Sequence, residues 1–155
     1  MGADLYINKL YQPNLEKYKP LFEAAVQRRD SATDAEEINL HQAKVDEYYD
    51  LMYSEGYFRD SYNDSSVLWQ LELSGWGDVI PMLNRRGNLV GKNLDAFIAM
   101  LENRQIPDKE NLSHISHDND QELQEWHTYF VEKRLRLIEF LKTAKQLRAP
   151  VYCSL

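Results

Sequence analysis

The stretch between residues 57 and 78 carries the side chains best suited to bind or act on a ligand. A guanidinium can grip a carboxylate or phosphate in its planar fork, and tyrosines and tryptophans offer stacking faces with polar tips. The candidate set is Tyr57, Arg59, Asp60, Tyr62, Asn63, Trp69, Trp76 and Asp78. Such a mixture suits a concave recognition surface, in which Asp60 and Asp78 would be the acids of a catalytic version.

The same residues also fit a purely structural role. Arg59 and Asp60 can pair locally, while Asn63 and Asp64 can make the hydrogen bonds of turns and helix caps. The aromatic rings would then wedge short helices against the rest of the fold. Of the 18 aromatic residues, eight lie between Tyr48 and Trp76, so the segment is unusual on either interpretation. The sequence leaves both open.

Histidines form a second group that could do chemistry. His114, His117 and Asp118 supply imidazole and carboxylate groups, which zinc, iron and manganese accept as ligands. Metal sites in helical bundles use Glu-x-x-His pairs, and Gln124 stands where His127 would need a glutamate. We therefore predict no metal and no other cofactor, and keep the first three residues as secondary candidates.

Motifs for nucleophilic catalysis and nucleotide binding are missing from the sequence. It contains no Gly-x-Ser-x-Gly elbow, no phosphate-cradling loop and no dinucleotide fingerprint. The single cysteine, Cys153, is close to the C-terminus, where an electropositive and rigid setting is not expected. The sequence favours a non-enzymatic protein over an enzyme.

Charge and composition restrict the kinds of partner. The net charge is −7, with nine acids and two bases in residues 30–60 and six bases and two acids in residues 132–148. A chain this acidic repels phosphate, so we expect no nucleic acid as partner. The longest apolar run, residues 96–101, is too short for a membrane span. One cysteine and an N-terminus without a secretion signal favour a soluble, cytoplasmic protein.

Hydrophobic spacing of three and four residues predicts the elements that must position these candidates. It indicates helices near residues 14–30, 34–55, 93–105 and 119–148. Asn14 is a predicted N-cap, Thr33 and Glu36 form a capping box, and Gly56 is placed for a left-handed C-cap. Pro20 is expected to kink or divide the first helix.

The remaining segments are less regular. We expect a loop over residues 57–63, and residues 67–73 fit either a short helix capped from residues 64–66 or a strand. Residues 106–118 are predicted to be a polar connector. The two ends of the chain, residues 3–11 and 151–155, are predicted to be extended.

The fold class we predict is mainly all-α. It is a single-domain helical bundle over residues 1–155, with an irregular aromatic-rich loop region and room for a minor pair of short strands. The function we predict is protein–protein interaction through the aromatic segment or the end of the last helix, either with a protein partner or as a homo-oligomer. The alternative is a small-molecule or metal-dependent enzyme with its pocket around residues 57–78.

Overall fold

The computed structural model describes residues 2–155. It is mainly helical, as predicted, and adds a small four-stranded antiparallel sheet. The chain divides into two compact units, one formed by residues 7–57 and the other by residues 58–155 together with the N-terminal strand. A single helical bundle is therefore not confirmed, and one domain over residues 1–155 stays a prediction.

The sheet contains both ends of the chain. Its strands are β1 (Gly2–Tyr6), β2 (Tyr57–Ser61), β3 (Asn88–Leu89) and β4 (Val151–Ser154), in the order β2-β1-β4-β3. Strands β1 and β4 run antiparallel, with Leu5 opposite Cys153. The extended C-terminal tail predicted from the sequence is thus a central strand.

The loop predicted over residues 57–63 is wrong, because most of it is strand β2. Its side chains alternate between the two faces, so that Phe58 and Asp60 are buried while Arg59 is exposed. A period of two is the mark of a half-buried strand. This strand is not recognisable from hydrophobic alternation in the sequence, because a carboxylate, Asp60, occupies one of the inward positions.

Two helices are the longest elements of the larger unit. They are α4 (Gly91–Glu102) and α5 (Asp120–Leu147), close to the predicted bounds. Helix α5 begins at an N-cap, Asn119, whose side chain accepts a hydrogen bond from the Glu122 amide at 2.8 Å. Apolar side chains at three-and-four spacing are buried along it, among them Phe130, Leu137 and Leu141.

Basic side chains of α5 have acidic partners on α4, within the same unit. Lys142 pairs with Glu102 at 2.7 Å, and Lys145 pairs with Asp95 at 2.9 Å. Each of these exposed pairs adds little stability. They do give Lys142 and Lys145 acidic partners that are not on the acidic helix near residues 34–55.

A short helix and turns lie between β2 and α4. The segment that the sequence leaves undecided is helix α3 (Val67–Gln70), and Ser66 caps it, as the predicted capping from residues 64–66 requires. Two turns of 3-10 helix follow at Trp76–Asp78 and Ile80–Met82. A further 3-10 turn, Lys109–Asn111, lies in the predicted polar connector.

The smaller unit is an antiparallel hairpin of α1 (Asn8–Ser31) and α2 (Ala35–Met52). The first helix begins earlier than predicted and continues through Pro20, so neither the Asn14 cap nor a division at the proline is correct. The Asn14 side chain instead donates to the backbone carbonyls of Leu51 and Met52 at 2.7 and 3.2 Å, satisfying orphan acceptors at the end of α2.

The turns around α2 also differ from the predicted caps. The N-cap is Asp34, without a side-chain cap bond, so the capping box at Thr33 does not form. Gly56 has the predicted left-handed φ of 66°, but the C-cap is Tyr53. A Cβ at Gly56 would lie 2.6 Å from the Tyr11 backbone nitrogen, so this position needs glycine for space as well as for conformation.

None of the helices in residues 2–155 combines the length and apolar character that a membrane span requires.

Candidate functional site

Asp60 is the centre of the most unusual polar cluster in the larger unit. The alternation of β2 turns its side chain inward, and only 1% of its surface is exposed. A carboxylate removed from water is costly unless it is paired and hydrogen-bonded. Its neighbours must therefore supply donors and a positive charge.

Three donors come from α3 and the following 3-10 turn. The Ser66 hydroxyl and the Trp76 indole N–H donate to Asp60 Oδ2 at 2.9 and 2.7 Å, and the Val67 amide donates to the same oxygen at 3.2 Å. Ser66 Oγ also accepts from the Leu68 amide at 3.3 Å. The carboxylate thus fixes the start of α3 and holds the indole in place.

The positive charge comes from Lys133 of α5. Its ammonium lies 3.0 Å from Asp60 Oδ1, and its side chain is 8% exposed. The same nitrogen donates to the Tyr129 hydroxyl at 2.6 Å, one helical turn earlier. We call Asp60, Ser66, Trp76, Tyr129 and Lys133 the buried Asp60 cluster. It joins β2, α3, a 3-10 turn and α5 through one carboxylate.

The buried Asp60 cluster is suited to a structural role and not to acid–base catalysis. Both carboxylate oxygens already accept hydrogen bonds, and the Trp76 indole is 1% exposed and packs edge-on against Phe97 at 5.9 Å between ring centroids. The Lys133 amine is held by Asp60 and Tyr129. A general acid or base must reach a substrate proton, and these bonds leave Asp60 no exposed face from which to do so.

The other predicted site residues make their contacts elsewhere. Arg59 is on the outward face of β2, with Nε 3.8 Å from Asp4 Oδ1. Asn63 accepts from the Ser65 amide and hydroxyl at 3.1 and 2.7 Å, forming the turn after β2. Asp78 accepts from the Ser74 amide at 2.8 Å. The turn bond expected of Asn63 is therefore present, whereas Asp60 pairs with Lys133 and not locally with Arg59 as expected.

Tyr62 and Trp69 complete the predicted set in the larger unit. Tyr62 is 38% exposed, and its pKa is raised by partial burial and further by the Asp4 carboxylate. Trp69 packs edge-on against His114, with ring centroids 5.9 Å apart. Among the eight predicted residues, the structure brings Asp60 and Trp76 together in one buried cluster.

The histidine group does not assemble into a metal centre in the described residues. His114 has a left-handed φ of 58°, and its ring faces Trp69. His117 Nδ1 lies 3.3 Å from the Ile115 carbonyl, and the Asp118 amide donates to Glu122 at 2.8 Å. Across residues 2–155, no three histidine, cysteine or acidic side chains are grouped as metal ligands would be.

Cys153 lies inside the sheet as a buried free thiol. Burial raises its pKa to about 12, and the thiol Sγ lies 3.6 Å from the Val151 carbonyl. At neutral pH it is therefore protonated, whereas a nucleophile or metal ligand must be a thiolate.

A second group of aromatic rings lies on the helical hairpin. Each ring contacts at least one other, with centroids between 4.8 Å for Tyr53–Tyr57 and 6.2 Å for Tyr11–Tyr57. We call it the hairpin aromatic cluster, and its members are Tyr11, Phe22, Tyr49, Tyr53 and Tyr57. Tyr11 is buried, whereas Tyr49 keeps 49% of its surface exposed. Tyr57 is the member that also belongs to the predicted site.

Sequence reasoning did not assign the partners that complete either cluster. Tyr129 and Lys133 lie four residues apart on the apolar stripe of α5, and a lysine on such a stripe signals a buried acid elsewhere. Tyr11 and Phe22 come from α1, outside the aromatic-rich stretch. Their helical spacing is visible in the sequence, but their pairing with α2 depends on the hairpin.

Comparison of the chain with protein-family models, with curated proteins and with solved structures found no significant match.

Proposed function

We propose that this protein is a non-enzymatic binding protein whose hairpin aromatic cluster docks a basic segment of a different protein. The observation that carries the proposal is the face of α2 on which exposed carboxylates alternate with tyrosine rings. Tyrosine is enriched at protein interfaces because it offers a large apolar contact area and a polar tip.

The spacing of α2 builds this face. Residues separated by three, four and seven positions lie along one side of a helix, which places Asp46, Tyr49, Asp50 and Tyr53 together. Both aspartates are exposed, and the two rings lie 5.0 Å apart between centroids. Lysine and arginine suit such a surface, because a cation can lie over an aromatic ring and pair with a carboxylate beside it.

The end of α2 strengthens the preference for a cation. Its last turn contains no basic residue and carries Asp50, next to the partial negative charge of the helix C-terminus. An acid is unfavourable at that position in the isolated protein. A basic partner would offset this repulsion on binding.

Charge also separates a foreign partner from a second copy. Five acids and one base lie on α2, so a two-fold contact through this face would bring like charges together. On α5, Lys142 and Lys145 already pair with α4. Self-association, the simpler version of the predicted function, has less support than a basic partner.

The alternative of an enzyme with a pocket around residues 57–78 has weaker support as well. Its central acid, Asp60, is enclosed by protein donors, and Asp78 is engaged in a turn. Neither observation favours a substrate.

Photo-crosslinking from the hairpin tests the proposal. An aromatic photo-crosslinking amino acid at position 49 keeps a ring in place, and the same group at the exposed position 135 of α5 is the control. We expect position 49 to capture a segment containing at least two lysines or arginines, and Asp46→Asn/Asp50→Asn to reduce capture severalfold. Capture of a second copy, or of a segment without basic residues, would contradict the proposal.

The captured segment then serves as a synthetic peptide in a binding measurement. We expect Tyr49→Ala to weaken its affinity about tenfold or more, as truncation of an aromatic anchor does. Tyr62→Ala is the matched control, because it removes an exposed tyrosine from the other unit. Equal losses of affinity for the two variants would show non-specific hydrophobic binding to exposed tyrosines, which would contradict the proposal.

A further inference from the structure

A cavity in the larger unit has the features of an anion-binding site. It has a volume of about 480 Å³ and lies among the first turn of α4, the end of α5 and the turn before β3. Its lining includes the apolar side chains of Leu94 and Ala144, which are almost fully buried. Its charged groups are Arg86, Asp95, Lys145 and Arg148.

The charges of this cavity do not cancel. Asp95 is matched by Lys145 at 2.9 Å. The charges of Arg86 and Arg148 then outweigh the partial negative charge at the C-terminus of α5, which also borders the cavity. Among residues 2–155, neither guanidinium takes part in an ion pair. In a chain with a net charge of −7, two arginines on one cavity without acidic partners are a local reversal of sign.

The backbone at both arginines has a defined conformation, and their side chains are exposed. Arg148 is the C-cap of α5 and has a left-handed φ of 52°, which directs the chain away from the helix. Arg86 belongs to a tight turn in which Asn84 Oδ1 accepts from the backbone amides of Arg86 and Asn88 at 2.9 and 3.0 Å. A preorganised turn costs less ordering on binding than a mobile side chain on a loose loop.

The start of α4 borders the same cavity through Val90 and Gly91. This helix of 12 residues has Val90 as its N-cap, without a side-chain cap bond, and no acid in its first turn. Helix N-termini attract anions through their free amides and partial positive charge. Gly91, the first helical residue, has a φ of 56°, and a Cβ built on it would meet nothing within 4 Å, so the backbone is open to approach.

We infer that this cavity binds a small oxyanion, either a phosphate monoester or a carboxylate, attached to a compact apolar body. Arg86, Arg148 and the first amides of α4 contact the oxyanion, and the apolar body lies against Leu94 and Ala144. A guanidinium recognises both kinds of oxyanion through paired N–H donors. The Asp95–Lys145 pair borders the site and adds no net charge. This inference is independent of the hairpin, which is the other unit.

The test is a titration of the full chain with phenyl phosphate and, separately, with benzoate and inorganic phosphate, followed by amide chemical shifts. We expect saturable shifts of Gly91 and Lys92 at concentrations up to about 10 mM, strongest for the phosphate or carboxylate that carries a ring. The relative affinities of phenyl phosphate and benzoate decide which oxyanion is preferred. Shifts that stay linear or absent with all three probes would overturn the inference.

Two variants and a neighbouring control complete the test. Arg86→Gln and Arg148→Gln should each weaken the tightest probe at least about tenfold, because each removes a charge-assisted hydrogen bond. Arg85→Gln removes the adjacent arginine, which does not line the cavity, and should leave affinity within about twofold. An equal loss for Arg85→Gln would show non-specific attraction to positive charge and overturn the site.

Discussion

The buried Asp60 cluster and the hairpin aromatic cluster both take residues from the same aromatic-rich stretch of sequence, but they use their polar atoms in opposite ways. In the first, a carboxylate that is 1% exposed receives donors from Ser66, Val67, Trp76 and Lys133. In the second, Tyr49 keeps about half of its surface in solvent, beside exposed aspartates.

The two clusters differ in whether their polar groups and ring surfaces are still free to contact a ligand. Within residues 2–155, no fully buried side-chain nitrogen or oxygen lacks a hydrogen-bond partner. A satisfied cluster rigidifies a fold and has little left to offer a ligand. Exposed rings beside exposed carboxylates still have contact area and charge to offer. An aromatic-rich segment is therefore a binding candidate only where its polar groups are not already used inside the protein.

The largest expected effect is on the ion pair of the buried Asp60 cluster. Lys133→Met should lower the free energy of unfolding by about 3–5 kcal/mol, because it leaves the Asp60 carboxylate buried without a counter-charge. Urea denaturation measures the loss. Lys142→Met is the matched control, since its exposed pair with Glu102 should contribute no more than ~1 kcal/mol.

A rescue variant separates the charge from the volume of the side chain. Adding Asp60→Asn to Lys133→Met removes the uncompensated charge, so the double variant should recover part of the lost stability. If the double variant is less stable than Lys133→Met alone, the pair is not the reason for the loss.

Removal of the indole donor should have the next largest effect on stability. Trp76→Phe keeps an aromatic ring against Phe97 but removes the N–H that donates to Asp60 at 2.7 Å. We expect a loss of about 1–3 kcal/mol in the free energy of unfolding, as for a buried acceptor left short of a donor. Trp69→Phe is the control in urea denaturation. A larger loss of stability in Trp69→Phe than in Trp76→Phe would contradict the importance of the indole donor to Asp60.

Cys153 should make the free energy of unfolding depend on pH. Burial raises the pKa of its thiol from the ordinary 9.0 to about 12, so the folded protein keeps a proton that the unfolded chain releases. The free energy of unfolding should therefore be unaffected below the unfolded pKa and fall as pH rises through the window between the two values, by at most ~1.4 kcal/mol per pH unit. Denaturation of wild type and Cys153→Ala at about pH 8, 9 and 10 measures this. Parallel pH profiles would contradict it.

Sequence reasoning succeeds where a pattern is local. The last helix is predicted from three-and-four spacing through Phe130 and Leu137, which depends on neighbours within a few turns. The extended character of both chain ends is also predicted, although residues 8–11 belong to α1 instead. The pairing of the two ends in one sheet depends on the whole chain.

It fails where the deciding partner is distant in sequence. Asp60 resembles a solvent-exposed residue until Lys133, on another element, supplies the charge that permits its burial, and β2 is missed as a strand for the same reason. Likewise Asn14 is mistaken for an N-cap, because the carbonyls it serves belong to the end of α2. The predicted set includes Asp60 and Trp76, which do lie together, but it misses the lysine that joins helix and strand.

The smallest predicted effect on stability is also the sharpest test of what the hairpin is for. Asp50 stands in the last turn of α2, where a negative charge opposes the helix dipole. Asp50→Asn should therefore raise the free energy of unfolding by about 0.3–1 kcal/mol, measured by urea denaturation at low salt, with the gain shrinking as salt is added. Asp30→Asn is the control on the same unit, because Asp30 already pairs with Arg29 at 2.9 Å and should show no such gain. We expect Asp50→Asn to stabilise the free protein and also to weaken capture of the basic segment. That combination would show that Asp50 destabilises its own helix but contributes to binding of the partner. A gain in stability without a loss in binding would leave the aspartate with no part in recognition and remove the charge argument for a basic occupant.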